Sequence, residues 1–317
     1  MHVPRYSIII PVYNRPHEVE ELLSSLTQQT YKNFEVLLIE DGSERTSREV
    51  YERYASVLSI TYFFKPNSGP GPSRNFGFER ARGEYLVVFD SDCVIPETYF
   101  ESVEKFMHSQ PVDAWGGPDR GRADFTPLQQ AMAYTMASIF TTGGIRGGRE
   151  KGFQPRSFNM GISRAVFTST KGFVFDRFAE DIELSIRMRK QGFQVALIPD
   201  AFVYHKRRAT LKDFFRQVSN FGKGRVLVGR AHPGEIKLTH WFPAVFLLGM
   251  CAWPLLILSF PKVGLGLLLI YLVYFLLIGV HAFTTVKSIA VGMLSIPAAF
   301  VQLTGYGIGF LKEMFNR

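Results

Sequence analysis

Asp90 and Asp92 stand one residue apart in Phe89-Asp90-Ser91-Asp92, directly after the apolar run Leu86-Val87-Val88-Phe89. Residues at i and i+2 leaving a strand can point to the same side, and two carboxylates so placed repel each other unless a cation sits between them. Hard oxygen ligands suit Mg2+ or Mn2+, commonly shared with substrate phosphates. Acidic pairs are also ordinary surface features; what singles this one out is the buried strand before it. Arg74, beside the turn-rich stretch Asn67-Ser68-Gly69-Pro70-Gly71-Pro72, offers a planar fork that suits a diphosphate. Farther on, Glu180-Asp181 opens a segment in which Leu184 and Met188 share a helical face with Asp181. Spacing alone reads these two acids as favourable first-turn partners of a helix.

The elements that must position these groups follow from the apolar pattern. Tyr6–Val12 is an isoleucine-rich run broken by Asn14-Arg15-Pro16, and residues 35–39 and 60–64 are similar runs, so each reads as a buried strand. Between and after them, residues 19–29, 48–58 and 73–82 have helical spacing, and residues 85–89 form a fourth strand. Alternating strands and helices at this spacing imply a parallel α/β sheet, whose ligands sit at the carboxyl ends of the strands. Asn14, Glu40-Asp41 and Asp90/Asp92 all fall at those ends, which makes three polar clusters one candidate pocket.

The 317 residues suffice for two folding units. With 20% charged and 46% hydrophobic residues, disordered and fibrous classes are excluded. The apolar content is concentrated at the end. Residues 241–260 carry no charge, residues 263–286 have His281 as the sole titratable group apart from tyrosine, and residues 288–311 are again uncharged. About 20 apolar residues of helix cross a bilayer, so three spans are expected in a membrane domain over 231–317. The third run is weakened by Pro297, Gln302, Thr304 and its glycines, which keeps a re-entrant or interfacial segment as its alternative. Lys206, Arg207, Arg208, Lys212, Arg216, Lys223, Arg225 and Arg230, opposed by Asp213, precede the first run. Such a cluster marks the cytoplasmic side and attracts anionic headgroups, unless it is simply a solvated basic face; it lacks any nucleic-acid recognition motif. The apolar stretch Ile8–Ile10 is too short for a signal-peptide core. A multi-pass protein of the inner cell membrane, its amino-terminal domain in the cytoplasm, is the expectation. Cys93 and Cys251 have no ligand-like spacing partners, so neither a disulfide framework nor a zinc site is expected.

Five motifs occur in order: Pro11-Val12-Tyr13-Asn14, Ile39-Glu40-Asp41-Gly42-Ser43, Asn67-Ser68-Gly69 with Ser73-Arg74-Asn75-Phe76-Gly77, Phe89-Asp90-Ser91-Asp92, and Glu180-Asp181. Together they resemble the family-2 inverting glycosyltransferases of the glycosyltransferase-A fold, over about residues 5–225. The resemblance implies a Rossmann-like, mainly parallel α/β catalytic domain over 1–230, followed by the all-α membrane domain. It also implies a nucleotide-sugar donor, usually a UDP sugar, and Mg2+ or Mn2+. Carried over by residue, Pro11, Tyr13, Asn14, Glu40 and Asp41 would line the base and ribose, with Asn67 on the donor side. Arg74 would approach the nucleotide, and Asp90 the ribose and metal. Asp92 would bind the metal, and His205 resembles a family position near the diphosphate or metal, where a purely structural histidine is the alternative. Asp181 would be the catalytic base, taking the acceptor proton as its oxygen attacks the anomeric carbon. The metal would stabilise charge on the departing diphosphate, and a single displacement inverts the anomeric configuration.

Two departures from the family pattern matter. Glu40-Asp41 replaces the usual paired aspartates, and Gln217-Val218-Ser219-Asn220-Phe221 lacks the arginine of the processive synthases' Gln-x-x-Arg-Trp, so one sugar per encounter is expected. Residues 127–140 read as a helix, followed by a glycine-rich stretch with Arg146 and Arg149. That region could form a lid over a lipid phosphate or simply pack in the core. Phe158-Asn159-Met160-Gly161 is expected to close the acceptor side. A polyprenyl-diphosphate-linked saccharide leads as acceptor, for surface polysaccharide assembly; polyprenyl phosphate and a glycolipid follow. A non-catalytic nucleotide-sugar or lipid binder remains a separate class, disfavoured because a binder needs no base.

Overall fold

The computed structural model describes residues 3–121, 125–142, 153–205 and 208–316. It divides into two compact units, one of residues 1–122 and 150–206, the other of residues 123–149 and 207–317.

The first unit is built on β1 (Tyr6–Val12), β2 (Phe34–Asp41), β3 (Ile60–Lys65) and β4 (Tyr85–Phe89), separated by α1 (Pro16–Thr27), α2 (Arg48–Tyr54) and α3 (Pro70–Arg80). β5 (Cys93–Val94), α4 (Tyr99–Ser109), β6 (Ala114–Gly116), β7 (Asp119–Arg120), β8 (Asn159–Ser163), α7 (Arg164–Thr170), α8 (Glu180–Lys190), β9 (Val195–Leu197) and β10 (Val203–His205) complete it; the intervening α5 (Pro127–Ala137) and α6 (Ile139–Thr142) belong to the second unit. The main sheet has the order β3-β2-β1-β4-β8-β6-β9. β1 to β4 are mutually parallel, whereas β8 runs antiparallel to both β4 and β6. A small second sheet has the order β5-β10-β7.

Strand side chains alternate between faces, and both faces are covered. Ile8, Ile10, Val36, Leu38, Val87 and Phe89 pack with Leu22 and Leu26 of α1 and Phe100 of α4. Ile9, Leu37, Ile39, Leu86 and Val88 pack on the other face with Phe78 of α3 and Leu184 and Met188 of α8. This two-sided burial explains why these strands read as continuous apolar runs. α3 begins at Pro70 rather than 73, because prolines in a first turn lose only amides that lack intrahelical partners anyway. Asn159-Met160-Gly161, expected at the acceptor side, is instead a buried strand of the central sheet. There Tyr99 donates its hydroxyl proton to Asn159 Oδ1 (2.6 Å), and Asn159 Nδ2 donates to the Ala201 carbonyl (2.8 Å). Gly161 lies so close under Trp115 that a Cβ there would come within 2.2 Å of the indole.

The second unit is helical: α5 (Pro127–Ala137), α6 (Ile139–Thr142), α9 (Leu211–Ala231), α10 (Phe242–Ser259), α11 (Pro261–Val286) and α12 (Ile289–Phe315). The expected 127–140 helix stops at Ala137 because Ser138 is extended (ψ 139°). Leu238–Ser259, Pro261–Val286 and Ile289–Phe315 are long and apolar enough to cross a membrane. Phe260 caps the end of α10 and the start of α11 at once. The unit boundary lies before residue 230, since the apolar face of α9, with Phe214, Val218 and Val226, is buried within the helical unit. α9 and α12 approach through glycines: Cβ atoms at Gly222, Gly305 and Gly309 would meet Tyr306 O, Val218 and Ser219 O at 2.2, 2.7 and 2.0 Å. The glycine-rich stretch 143–149, Lys206 and Arg207 lie outside the described residues.

Candidate active site

Strand register assembles the site. Val12 pairs with Glu40 and Ile9 with Val88, so Tyr13-Asn14, Glu40-Asp41 and Asp90 leave the sheet along one edge. Pro11 is a half-buried member of β1 opposite Ile39, while the Tyr13 ring stands exposed. Asn14 adopts a left-handed φ of 56°, which asparagine tolerates better than most residues. Its amide donates to Ser43 Oγ (2.8 Å), and its Oδ1 accepts from the Glu44 and Arg45 amides (2.9 and 3.0 Å), tying the loop after β1 to the loop after β2.

Several residues expected to touch the nucleotide are occupied by the chain itself. Glu40 is fully buried, accepting from the Ser43 hydroxyl, the Ser47 amide (2.7 Å) and the Tyr62 hydroxyl (3.5 Å). Its carboxylate faces inward and braces the loop after β2. Asp41 accepts from Lys65 and from the Ser68 and Gly69 amides, both at 2.9 Å. Burial pushes the Asp41 pKa up, but these donors outweigh it and hold the carboxyl below its ordinary value. Asn67 is exposed, donating to the Asp41 carbonyl (2.8 Å) and accepting from Arg177 (2.9 Å). Arg74 is 3% exposed and does not reach outward: Nη2 donates to Asp90 Oδ1 and Nη1 to Glu180 Oε1, each at 2.8 Å.

Asp92 is 9% exposed. One of its oxygens accepts from Arg15 Nη1, and the other lies 3.1 Å from His205 Nε2, whose ring stacks on Phe158 at 4.9 Å. The pairing of β5 with β10 sets Cys93 opposite His205, so the donor atoms of Asp92, Cys93 and His205 lie within 4.8 Å of one another. Burial alone would raise the Asp92 pKa; the His205 ring and Arg15 guanidinium override it and hold the carboxyl far below its usual range. A carboxylate and an imidazole, with Asp90 two residues away, fit a divalent ion such as Mn2+ or Mg2+. The Arg15 cation already sits where such a site needs positive charge, and the thiol adds a softer donor. Neither Arg15 nor Cys93 was singled out by sequence reasoning; the signals were an arginine at the end of β1 and a cysteine adjoining the acidic pair.

Asp181 stands in the first turn of α8, just after Ala179, whose φ is 58°. Its Oδ1 accepts from the Ile182 amide (2.7 Å), and Oδ2 lies 3.8 Å from Arg156. Neighbouring Glu180 is buried, and burial, aided by the Asp181 charge and opposed by Arg74, pushes its pKa up to about 7. Arg187 anchors the helix through Glu183 and the Thr170 and Gly172 carbonyls. Asp90, Arg74 and Glu180 form a continuous bridge, which ties the acidic pair after β4 to the acids opening α8.

The sequence profile described as Glycosyl transferase family 2 matches residues 7–179. Among curated proteins, an uncharacterized glycosyltransferase of Rickettsia felis is 40% identical over 107 residues, which is 34% of this chain and 18% of that protein. The uncharacterized glycosyltransferase EpsJ of Bacillus subtilis is 25% identical over 220 residues, 67% of this chain and 64% of EpsJ. The chain thus spans less than two thirds of either relative. Among solved structures, a mannosyltransferase from Pyrobaculum calidifontis in complex with GDP-Man and Mn2+ superposes with a TM-score of 0.71 at 15% identity, covering 100% of this chain and 89% of that one. TarS of S. aureus in complex with UDP-GlcNAc superposes at 0.51 with 17% identity, covering 98% and 91%. At these identities the likeness is one of fold.

Proposed function

Since this chain belongs to glycosyl transferase family 2, its chemistry is sugar transfer, and we propose that it moves one sugar from a nucleoside-diphosphate sugar, UDP-linked, to a lipid-linked acceptor at a membrane face. The observation that supports this reading is the chain of contacts in which Arg74 bridges Asp90 to Glu180, next to Asp181, while Asp92 meets His205. Asp92 and His205, with Asp90, would hold a divalent ion, whose chemistry is to take up charge on the departing diphosphate. Asp181 accepts the proton of the acceptor hydroxyl as its oxygen attacks the anomeric carbon, with inversion of configuration. Arg156 lies 3.8 Å from Asp181 Oδ2, the oxygen opposite the one that accepts from the Ile182 amide. Tyr13, exposed at the end of β1, offers its ring to the nucleotide base. The apolar helices of the second unit favour a polyprenyl-diphosphate-linked saccharide as acceptor, the catalytic unit facing the cytoplasm, in surface polysaccharide assembly. The likeness to the mannosyltransferase in complex with GDP-Man supports GDP-mannose as a second donor, and direct transfer to polyprenyl phosphate is the alternative reaction.

Release of nucleoside diphosphate from a panel of UDP and GDP sugars, with Mn2+ or Mg2+ and with or without a lipid extract, tests this. Metal- and lipid-dependent release is expected in wild type. Asp181→Asn is expected to lose about 10²–10⁴-fold in rate, and Asp92→Ala to lose the metal dependence. Turnover untouched by Asp181→Asn removes the base assignment, and binding without release from any donor turns the reading toward a binder.

A further inference from the structure

Arg15 is the cation nearest the Asp92 carboxylate. Its Nη1 bonds one oxygen of Asp92 while His205 Nε2 lies 3.1 Å from the other, so the carboxylate is closed on both sides. The Arg15 side chain is 32% exposed against 11% for Asp92, so the arginine is the partner with the freer path to solvent. Its position comes from the backbone: the left-handed Asn14, held by the loop after β2, turns the chain just before Arg15, and Pro16 then starts α1.

We propose that Arg15 is a built-in occupant of the cation position, competing with the divalent ion for Asp92 until the donor's diphosphate draws the guanidinium away. This rests on the metal-dependent transferase reading above. A guanidinium and a divalent ion on the two oxygens of one carboxylate repel each other and share its charge, so the ion binds the His205-facing oxygen weakly while Arg15 holds the other. The ion therefore tightens as Arg15 leaves, and an arginine leaving a buried carboxylate needs another anion. A diphosphate supplies oxygens in the geometry that the guanidinium fork matches. Arg15 thereby changes partner from protein to donor, and metal and donor each tighten the other's binding, a coupling that is reciprocal by linkage.

The test measures Mn2+ binding, by the electron paramagnetic resonance signal of free Mn2+, to the full-length chain in detergent micelles. Wild type, Arg15→Gln, Arg15→Lys and Asp92→Asn are compared, each alone and with UDP or GDP, after correction for Mn2+ bound by the free nucleotide. Without nucleotide, Arg15→Gln is expected to bind Mn2+ at least about fivefold more tightly than wild type, with Arg15→Lys between them. The tightening by nucleoside diphosphate is expected to be at least about fivefold in wild type and smaller in Arg15→Gln. Affinity for the nucleotide alone is expected to fall in Arg15→Gln, a change opposite in sign to the metal effect, which general damage to the fold does not produce. Arg15→Lys guards against a Gln variant that fails to fold. If both Arg15 variants bind Mn2+ no more tightly than wild type while Asp92→Asn still loses it, competition is overturned and the transferase reading stands. Mn2+ binding that Asp92→Asn leaves unchanged in every state overturns both the competition and the assignment of the metal to Asp92.

Discussion

Arg74 joins Asp90 to Glu180 with the two ends of one buried guanidinium, and its Nε has no hydrogen-bond partner among the described residues. Removing one partner of a buried charged network typically costs about 3–5 kcal/mol, so Arg74→Gln is expected to lose stability of that order, read as a lower thermal midpoint in detergent. Unchanged stability would show the bridge to be incidental. Glu180 yields a signed pH prediction. Its carboxyl is pushed from 4.5 to about 7 in the fold, so the folded state binds that proton more tightly than the unfolded chain. The associated stability is complete below the lower value and lost as pH rises through the upper one. Glu180→Gln still accepts from Arg74 but cannot ionise, and its stability is expected to fall less between those two values; parallel slopes in the two proteins would acquit Glu180. At this scale the sequence disclosed which acids stand at strand ends, because a strand that stops in Asp-x-Asp is visible as such. It did not disclose which way each side chain turns. Glu40 and Arg74 are of the type that binds ligands, yet loop hydroxyls and amides claim the first and carboxylates from two distant elements claim the second. Arg15 was hidden for the converse reason: its partner Asp92 is 77 residues away.

The elements were more legible than the contacts, since alternation and helical spacing are local while pairing is not. The four parallel strands lie where apolar runs predicted them, but β8, with glycine and a buried asparagine, has no such run and is defined by its pairing with β4 and β6. The glycines that lower the hydropathy of the third apolar run have a packing reason, because α12 has to meet α9 at backbone distance. A methyl group at Gly309 would press on the Ser219 carbonyl oxygen, and backbone cannot swing aside as a long side chain can. Gly309→Ala is therefore expected to destabilise the helical unit by about 1–3 kcal/mol. Gly266→Ala, on α11 with nothing within 4 Å of the added carbon, is the control and is expected to change little. Equal thermal midpoints for the two variants would reject the close approach.

At the scale of the whole molecule, three helices are long and apolar enough to cross a bilayer, but they are not equivalent. α10 and α11 expose large apolar side chains along their length, whereas half of α12 is buried within the protein. Its later turns lie on α9, where Arg230 donates to Glu313 (2.9 Å) and Lys223 approaches it (3.6 Å); its earlier turns pack on Ala131 and Met132 of α5. A crossing by α12 would draw α9, with Lys212, Arg216, Lys223, Arg225 and Arg230, into hydrocarbon, where each such charge costs about 2.5–3.5 kcal/mol. Cysteines placed singly at Lys212 and Lys312, in a Cys251→Ser background, are accordingly expected to react with an impermeant maleimide from the same side of the membrane. Labelling from opposite sides would mean that α12 crosses. The shared cap at Phe260 bears on how the other two helices cross. With one residue between them, α10 and α11 would cross a bilayer as a tight hairpin, carrying Lys262 at its tip. The turn leaves no room for a loop, so a probe that finds Lys262 buried in lipid would show that the two do not cross together.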